Sequence, residues 1–193
     1  MDSSANPPSE MYGPRFAAAL EFACTQHHGQ RRKGSGSPYI THPLAVASLV
    51  GDYGGDEDQA IAALLHDVME DCDVKRSEIA DRFGAQVAEI VAACTDTTEV
   101  PKPPWRPRKE AYIEHLRTQS PHIKLVVGCD KLHNAMSILR DLGRASVGEV
   151  VWTRFSADRT AVLWYYRTVA EALAHQWDHE LLDELRRSVN QLG

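Results

Sequence analysis

"AALLHDVMEDC", residues 62–72, places an imidazole and three carboxylates directly behind an apolar run. Ile61, Leu64, Leu65 and Val68 recur at helical spacing, which predicts one helix over 56–71, buried on most of its surface. In such a helix residues three or four apart share a face. His66 then stands above Glu70, and Asp67 above Glu70 and Asp71, forming one polar patch. Acidic groups at that C-terminal end oppose the helix dipole, so a purely structural role explains them badly. A divalent cation would balance them, since neutral histidine and ionised carboxylate are ordinary ligands for manganese, iron or zinc.

His66 and Asp67 make only half a coordination shell. The sequence offers two more candidates at helix positions among apolar neighbours, His42 in "PYITHPLAVA" and Asp130 in "IKLVVGCDKLHNAMSIL". Taken singly, His42 reads as a helix-start histidine and Asp130 as a salt-bridged core acid. Together with the His-Asp pair they have the order of a four-ligand metal site. Asn134 follows Asp130 by four residues and shares its face.

Outward from these residues the chain reads as helical throughout. Phe16, Leu20, Ala23 and His27 mark a helix ending at Gly29. Thr41 is a candidate cap for a short helix with Pro43 in its first turn. Two helices over 77–83 and 86–94 are broken at Gly84, and "TDTTEVPKPPWRPRK" (95–109) is expected to be a loop. Helical segments over 108–118, 122–142 and 157–190 follow, the last divided near Trp177. No alternating strand, repeat or low-complexity tract interrupts them. The expected class is all-α, one domain over 13–193 behind a disordered or loosely docked leader, "MDSSANPPSEMY" (1–12).

Composition narrows the function. The 193 residues are 43% hydrophobic and 25% charged, enough for one substantial core. The net charge of -6 argues against general nucleic-acid binding, which wants a basic face. Four scattered cysteines without a CxxC pair read as reduced thiols, and the chain shows no secretory signal or membrane-spanning run, so a cytoplasmic protein is expected. Against the acidic background, "HHGQRRKGSGSP" (27–38) collects a basic loop suited to a small anion.

"HHGQRRKGSGSPYITHPLAVA", "AALLHDVMEDCDV", "RFGAQVAEIV" and "KLVVGCDKLHNAMSIL" resemble, in order and approximate spacing, the hydrolase half of RelA/SpoT-type alarmone enzymes. In length the chain is similar to stand-alone small alarmone hydrolases, which are HD-domain proteins. The resemblance covers residues 14–142 and implies an HD-domain helical bundle with a buried metal site. It implies that His42, His66, Asp67 and Asp130 hold Mn²⁺, and that Glu70 and Asp71 activate or position the attacking water. It further implies that Arg32, Lys33 and Asn134 contact the nucleotide, whereas His133 gets no ligand role. "RRKGSGSP" is one residue longer than the pattern common in long family members, and Gly128 and Cys129 replace the usual residues before Asp130. Both departures bear on substrate preference.

The implied activity is Mn²⁺-dependent removal of the 3′-pyrophosphate from (p)ppGpp, giving GDP or GTP. Alternatives are adenine alarmones, the 2′-phosphate of NADPH, or a non-enzymatic module that binds an alarmone or neutralises an alarmone-making toxin by contact. Such a toxin is also the partner expected through its product. The length leaves no room for a synthetase half, so degradation without synthesis is expected. Lys131 and Arg140 are further phosphate-clamp candidates. Arg159, Trp164, Tyr165 and Tyr166 share one expected helix and are candidates to close the pocket, with ordinary aromatic packing the better account of at least two.

Overall fold

The computed structural model describes residues 12–193; the leader expected over 1–12 lies, apart from Tyr12, outside the described residues. The architecture is all-α. Its helices are α1 (Pro14–Gln26), α2 (Thr41–Asp52), α3 (Glu57–Leu65), α4 (Val68–Asp71), α5 (Arg76–Phe83), α6 (Ala85–Cys94), α7 (Trp105–Arg117), α8 (Pro121–Leu142), the 3₁₀ helix η1 (Gly148–Arg154), α9 (Arg159–Leu173) and α10 (Glu180–Gln191). Among the described residues the extended structure is one isolated bridge, Arg31 to Pro38.

The centre of the fold is α3, buried at every position from Gln59 to Leu65. Its start is fixed by a capping box. Asp56 Oδ1 accepts from the Gln59 amide at 2.9 Å, and Gln59 Oε1 accepts from the Asp56 amide at 2.9 Å. The Gln59 amide nitrogen also donates to the His122 carbonyl at 3.0 Å, tying α3 to the start of α8. Around α3 pack α1, α2, α6 and α8. The longest element, α8, is continuously buried from Ile123 to Asp130. Gly128 lets α10 approach it, since a Cβ there would stand 2.6 Å from a Leu181 methyl.

Lys124 holds the outer helices to α8. It is 2% exposed, and its Nζ donates to the Arg117 carbonyl at 3.2 Å and the His175 carbonyl at 2.5 Å, at the C-terminal ends of α7 and α9. Burial lowers its pKa, and the carbonyl-rich helix ends offset that cost. Lys124→Met should therefore destabilise the protein by about 1–3 kcal/mol, two carbonyls losing their donor. Thermal melting should show a fall of a few degrees with the substrate site unaltered.

Three expectations need correction. The run 56–71 is two helices, because the chain turns at His66 and Asp67. In an unbroken helix consecutive side chains point about 100° apart; here His66 Nε2 and Asp67 Oδ2 lie 3.0 Å from each other. The loop expected over 95–109 ends early, at Trp105, because Pro107 falls in the first turn of α7, where its missing N–H costs no hydrogen bond. Thr41 is inside α2 rather than capping it, its hydroxyl donating to the Pro38 carbonyl at 2.8 Å. The break at Gly84 and the division between α9 and α10 agree with the sequence pattern, and all four cysteines are free.

Candidate metal centre and active site

Four candidate ligand atoms converge where α2, the α3–α4 turn and α8 meet. His66 Nε2 is 3.0 Å from Asp67 Oδ2 and 3.6 Å from Asp130 Oδ1. His42 Nε2 is 3.1 Å from Asp130 Oδ1, 3.6 Å from Asp67 Oδ2 and 3.2 Å from His66 Nε2. Divalent ions bind nitrogen and oxygen at about 2.0–2.2 Å, so neighbouring ligands of an octahedral or tetrahedral ion stand about 2.9–3.6 Å apart. The spacing fits one ion. The chemistry fits too: His42, His66 and Asp67 cluster closely enough to hold a metal, and Asp130 beside the two imidazoles adds a second carboxylate to a donor set with no thiolate, suited to a first-row divalent metal.

Electrostatics point the same way. Burial opposes charge on His66, but Asp67 and Asp130 outweigh it and hold its pKa well above the usual value. Burial alone would raise Asp130, yet Lys131 and the two histidines pull it well below the carboxylate range. Without an ion, a proton on His66 therefore balances the carboxylates. A cation must displace that proton, so metal affinity should weaken as pH falls.

Supporting contacts orient each ligand. His66 Nδ1–H donates to the Ala63 carbonyl at 2.7 Å, so once a cation displaces the Nε2 proton the Nε2 lone pair faces the centre. The Tyr39 hydroxyl donates to Asp67 Oδ2 at 2.6 Å. Lys131 Nζ donates to Asp130 Oδ2 and Asn134 Nδ2 to Asp130 Oδ1, both at 2.6 Å. His42 Nδ1 lies 2.7 Å from His133 Nδ1, and the tautomer that frees His42 Nε2 for a cation has His42 donating. Burial and the nearby His42 and Arg32 push the His133 pKa down to about 4, so it stays neutral and able to accept.

Sequence reasoning missed His133 and Tyr39 as supports. The signal for His133 was its adjacency to Asn134; nothing marked its contact with a residue 91 positions earlier. His133→Phe should weaken metal binding about 10–100-fold, the usual cost of losing such a support. Titration of metal-free protein with Mn²⁺ would measure it.

Over the centre opens a cavity of about 1320 Å³, lined by Tyr39, Glu70, Asp71, His133 and Asn134 near the ligands. Ten lysine and arginine side chains line it against three carboxylates, in a chain whose net charge is -6. The structure brings the expected site residues together. Arg32 and Lys33 are on its wall, and Arg32 Nη2 donates to Asn134 Oδ1 at 2.9 Å. Asn134 thus bridges the basic loop to Asp130. Glu70 Oε1 accepts from Lys102 at 2.7 Å. Burial, then the charges of Asp67 and Glu70, raise the Asp71 pKa.

Of the residues expected to close the pocket, Tyr165 and Tyr166 line the cavity. Trp164 instead packs beneath Arg106, 3.3 Å from its ring centroid, and Arg159 covers Trp152. Lys131 and Arg140 both line the cavity, though Lys131 is committed to Asp130.

The chain belongs to the HD-domain family, whose model matches residues 19–163, and its class is that of metal-dependent phosphohydrolases. Human guanosine-3′,5′-bis(diphosphate) 3′-pyrophosphohydrolase MESH1 is 42% identical over 131 residues, 66% of this chain and 69% of that protein. A guanosine-3′,5′-bis(diphosphate) 3′-pyrophosphohydrolase of Haemophilus influenzae is 39% identical over 118 residues, 58% of this chain but 17% of that longer protein. The solved structure of a metazoan orthologue of SpoT, described as hydrolysing ppGpp and acting in starvation responses, matches with a TM-score of 0.77 at 26% identity. That match covers 94% of this chain and 97% of the other.

Proposed function

We propose that the chain removes the 3′-pyrophosphate from the guanosine alarmones (p)ppGpp, leaving GDP or GTP, with Mn²⁺ as its ion. The observation that carries this reading is the junction of the His42, His66 and Asp67 cluster, with Asp130 beside it, and a strongly basic cavity on an acidic chain. Such a cavity attracts a polyphosphorylated nucleotide and repels little of its charge. The relatives named for that reaction support the choice of substrate.

His42, His66, Asp67 and Asp130 would hold the ion, which supplies an acidified water and neutralises charge on the phosphoryl oxygens. Glu70 or Asp71 takes the proton of the attacking water, and burial, which raises the Asp71 pKa, favours Asp71 as the base. Arg32 and Lys33 hold the nucleotide, and Asn134 fixes Arg32 relative to Asp130. Attack at the 3′-phosphorus forms the new P–O bond of pyrophosphate and breaks the P–O3′ bond, the 3′-oxygen taking a proton as it departs, and the pyrophosphate product is released into a cavity rich in cations. Free thiols and the lack, among the described residues, of any helix long and apolar enough to cross a membrane support a cytoplasmic setting.

The test is a panel of ppGpp, pppGpp, ppApp and NADPH, each with Mn²⁺ and with chelator. Release of pyrophosphate from the guanosine compounds, lost with chelator, is expected. No turnover of ppGpp by metal-loaded protein, beside an active alarmone hydrolase, would reject the substrate; faster turnover of ppApp or NADPH would reassign it. A toxin-neutralising role by contact predicts protection that survives loss of a metal ligand.

A further inference from the structure

Asp141, Arg144 and Arg154 form a charged cluster in the cavity wall that the chemistry above does not use. Asp141 is 8% exposed near the end of α8. Arg144 Nη1 donates to its Oδ1 at 3.0 Å, and Arg154 Nη1 donates to its Oδ2. Each guanidinium meets Asp141 through that one nitrogen, and among the described residues no other hydrogen bond engages its remaining N–H groups. Arg154 is also wedged against the basic loop. A Cβ at Gly34 would overlap its guanidinium, so the missing side chain there leaves the space in which Arg154 lies against loop 31–37. Two arginines against one carboxylate leave a fixed positive charge, preorganised in advance of any ligand.

The position of this charge relative to the metal centre follows from α8 itself. Asp130, Asn134, Ser137 and Asp141 are separated by four, three and four residues, so they form one stripe of the helix. Asn134, Ser137 and Asp141 line the cavity along that stripe. Eleven residues at 1.5 Å each set Asp141 about 16 Å from Asp130 along the helix axis. A ligand with one phosphoryl group at the metal centre and its body along α8 meets Arg144 and Arg154 at its other end.

We infer that Arg144 and Arg154, held by Asp141, form a second phosphate subsite, which grips the phosphate chain on the 5′ side of the nucleotide while the 3′ side is at the metal centre. The inference rests on the alarmone reading above. It makes the 5′ chain a determinant of substrate choice, and Asp141 a positioning residue that acts through the two arginines.

Two measurements test it with the Mn²⁺-loaded full chain. The first compares kcat and KM for ppGpp and for its 5′-monophosphate counterpart, pGpp. Wild type should favour ppGpp through KM, and Arg154→Met should raise KM for ppGpp about tenfold or more with little change in kcat. Arg144→Met, at an exposed position, should act in the same direction, and serves if Arg154→Met misfolds. Arg154→Lys should recover only part of the loss, and Asp141→Asn should raise KM although it removes no cation. The second measures calorimetric binding of GDP and guanosine. Wild type should hold GDP at least about tenfold more tightly, and the methionine variants should lose that difference. Equal KM for ppGpp and pGpp in wild type, or a GDP preference that survives both methionine variants, would overturn the subsite. If wild type turns over neither nucleotide, the hydrolase reading fails, and the binding comparison still decides the subsite.

Discussion

His66→Ala is expected to strip the protein of its divalent ion and to lower turnover by about 10³-fold or more, several kcal/mol of barrier. The His66 Nε2 atom stands within 3.6 Å of each of the other three ligand atoms, so its loss opens one whole side of the shell. Asp67→Ala should behave alike and also leave the Tyr39 hydroxyl without its acceptor. Asp130→Ala should be worse for the fold, because Lys131 and Asn134 both donate to that carboxylate and the buried ammonium would be left unpaired. Metal analysis after gel filtration measures the first effect, and melting curves measure a second. An ion that binds only the folded state at 100 times its Kd adds about 2.7 kcal/mol, which for a chain of this size is about 5–10 °C. Wild type should therefore melt several degrees lower in chelator, and His66→Ala should not respond. A His66→Ala protein that keeps a full complement of metal and most of its rate would remove the assigned ligand set.

Much of this centre is legible in the sequence because helical spacing turns order into geometry. The apolar stripe from Ile61 to Val68 marks a buried helix, and acidic groups at its end stand out against both burial and dipole. Asp130 and Asn134 share a face at four-residue spacing, and their side chains do meet at 2.6 Å. The parts that escaped notice depend on tertiary approach. No local pattern announces that His133 meets His42, that Tyr39 reaches Asp67, or that Lys102 crosses to Glu70. The turn at His66 and Asp67 was hidden for a related reason. Helical periodicity runs through it unbroken, although the backbone departs from helical geometry at Asp67, with φ -101° and ψ -6°. The η1 segment escaped because its seven residues carry too little periodicity to register, although Val151 and Trp152 are buried. Pro107 misled in the opposite direction: a proline-rich stretch reads as a loop until its place in a first turn is known.

The acidic pair gives the other large expected effect, and it separates binding from chemistry. Glu70→Gln and Asp71→Asn should both retain the metal, since neither side chain is among the converging ligand atoms. Asp71→Asn should lower kcat about 10²–10⁴-fold, the range expected when a general base is removed. Its carboxylate is the more basic for its burial and for the neighbouring Asp67 and Glu70 charges, and amide replacement leaves shape but no proton acceptor. Glu70 has a second tie, to Lys102 in the segment before α7, so Glu70→Gln removes an ion pair as well as a carboxylate. Lys102→Met separates the two losses. If Glu70 acts on the water, Lys102→Met should spare most of kcat while Glu70→Gln does not. If Glu70 serves only to hold Lys102, the two variants should fall together. Metal content measured beside kcat makes the comparison decisive: loss of metal in Glu70→Gln or Asp71→Asn equal to that in His66→Ala would end the division between ligands and base. A kcat within fivefold of wild type in both variants would require the proton of the attacking water to leave by another route.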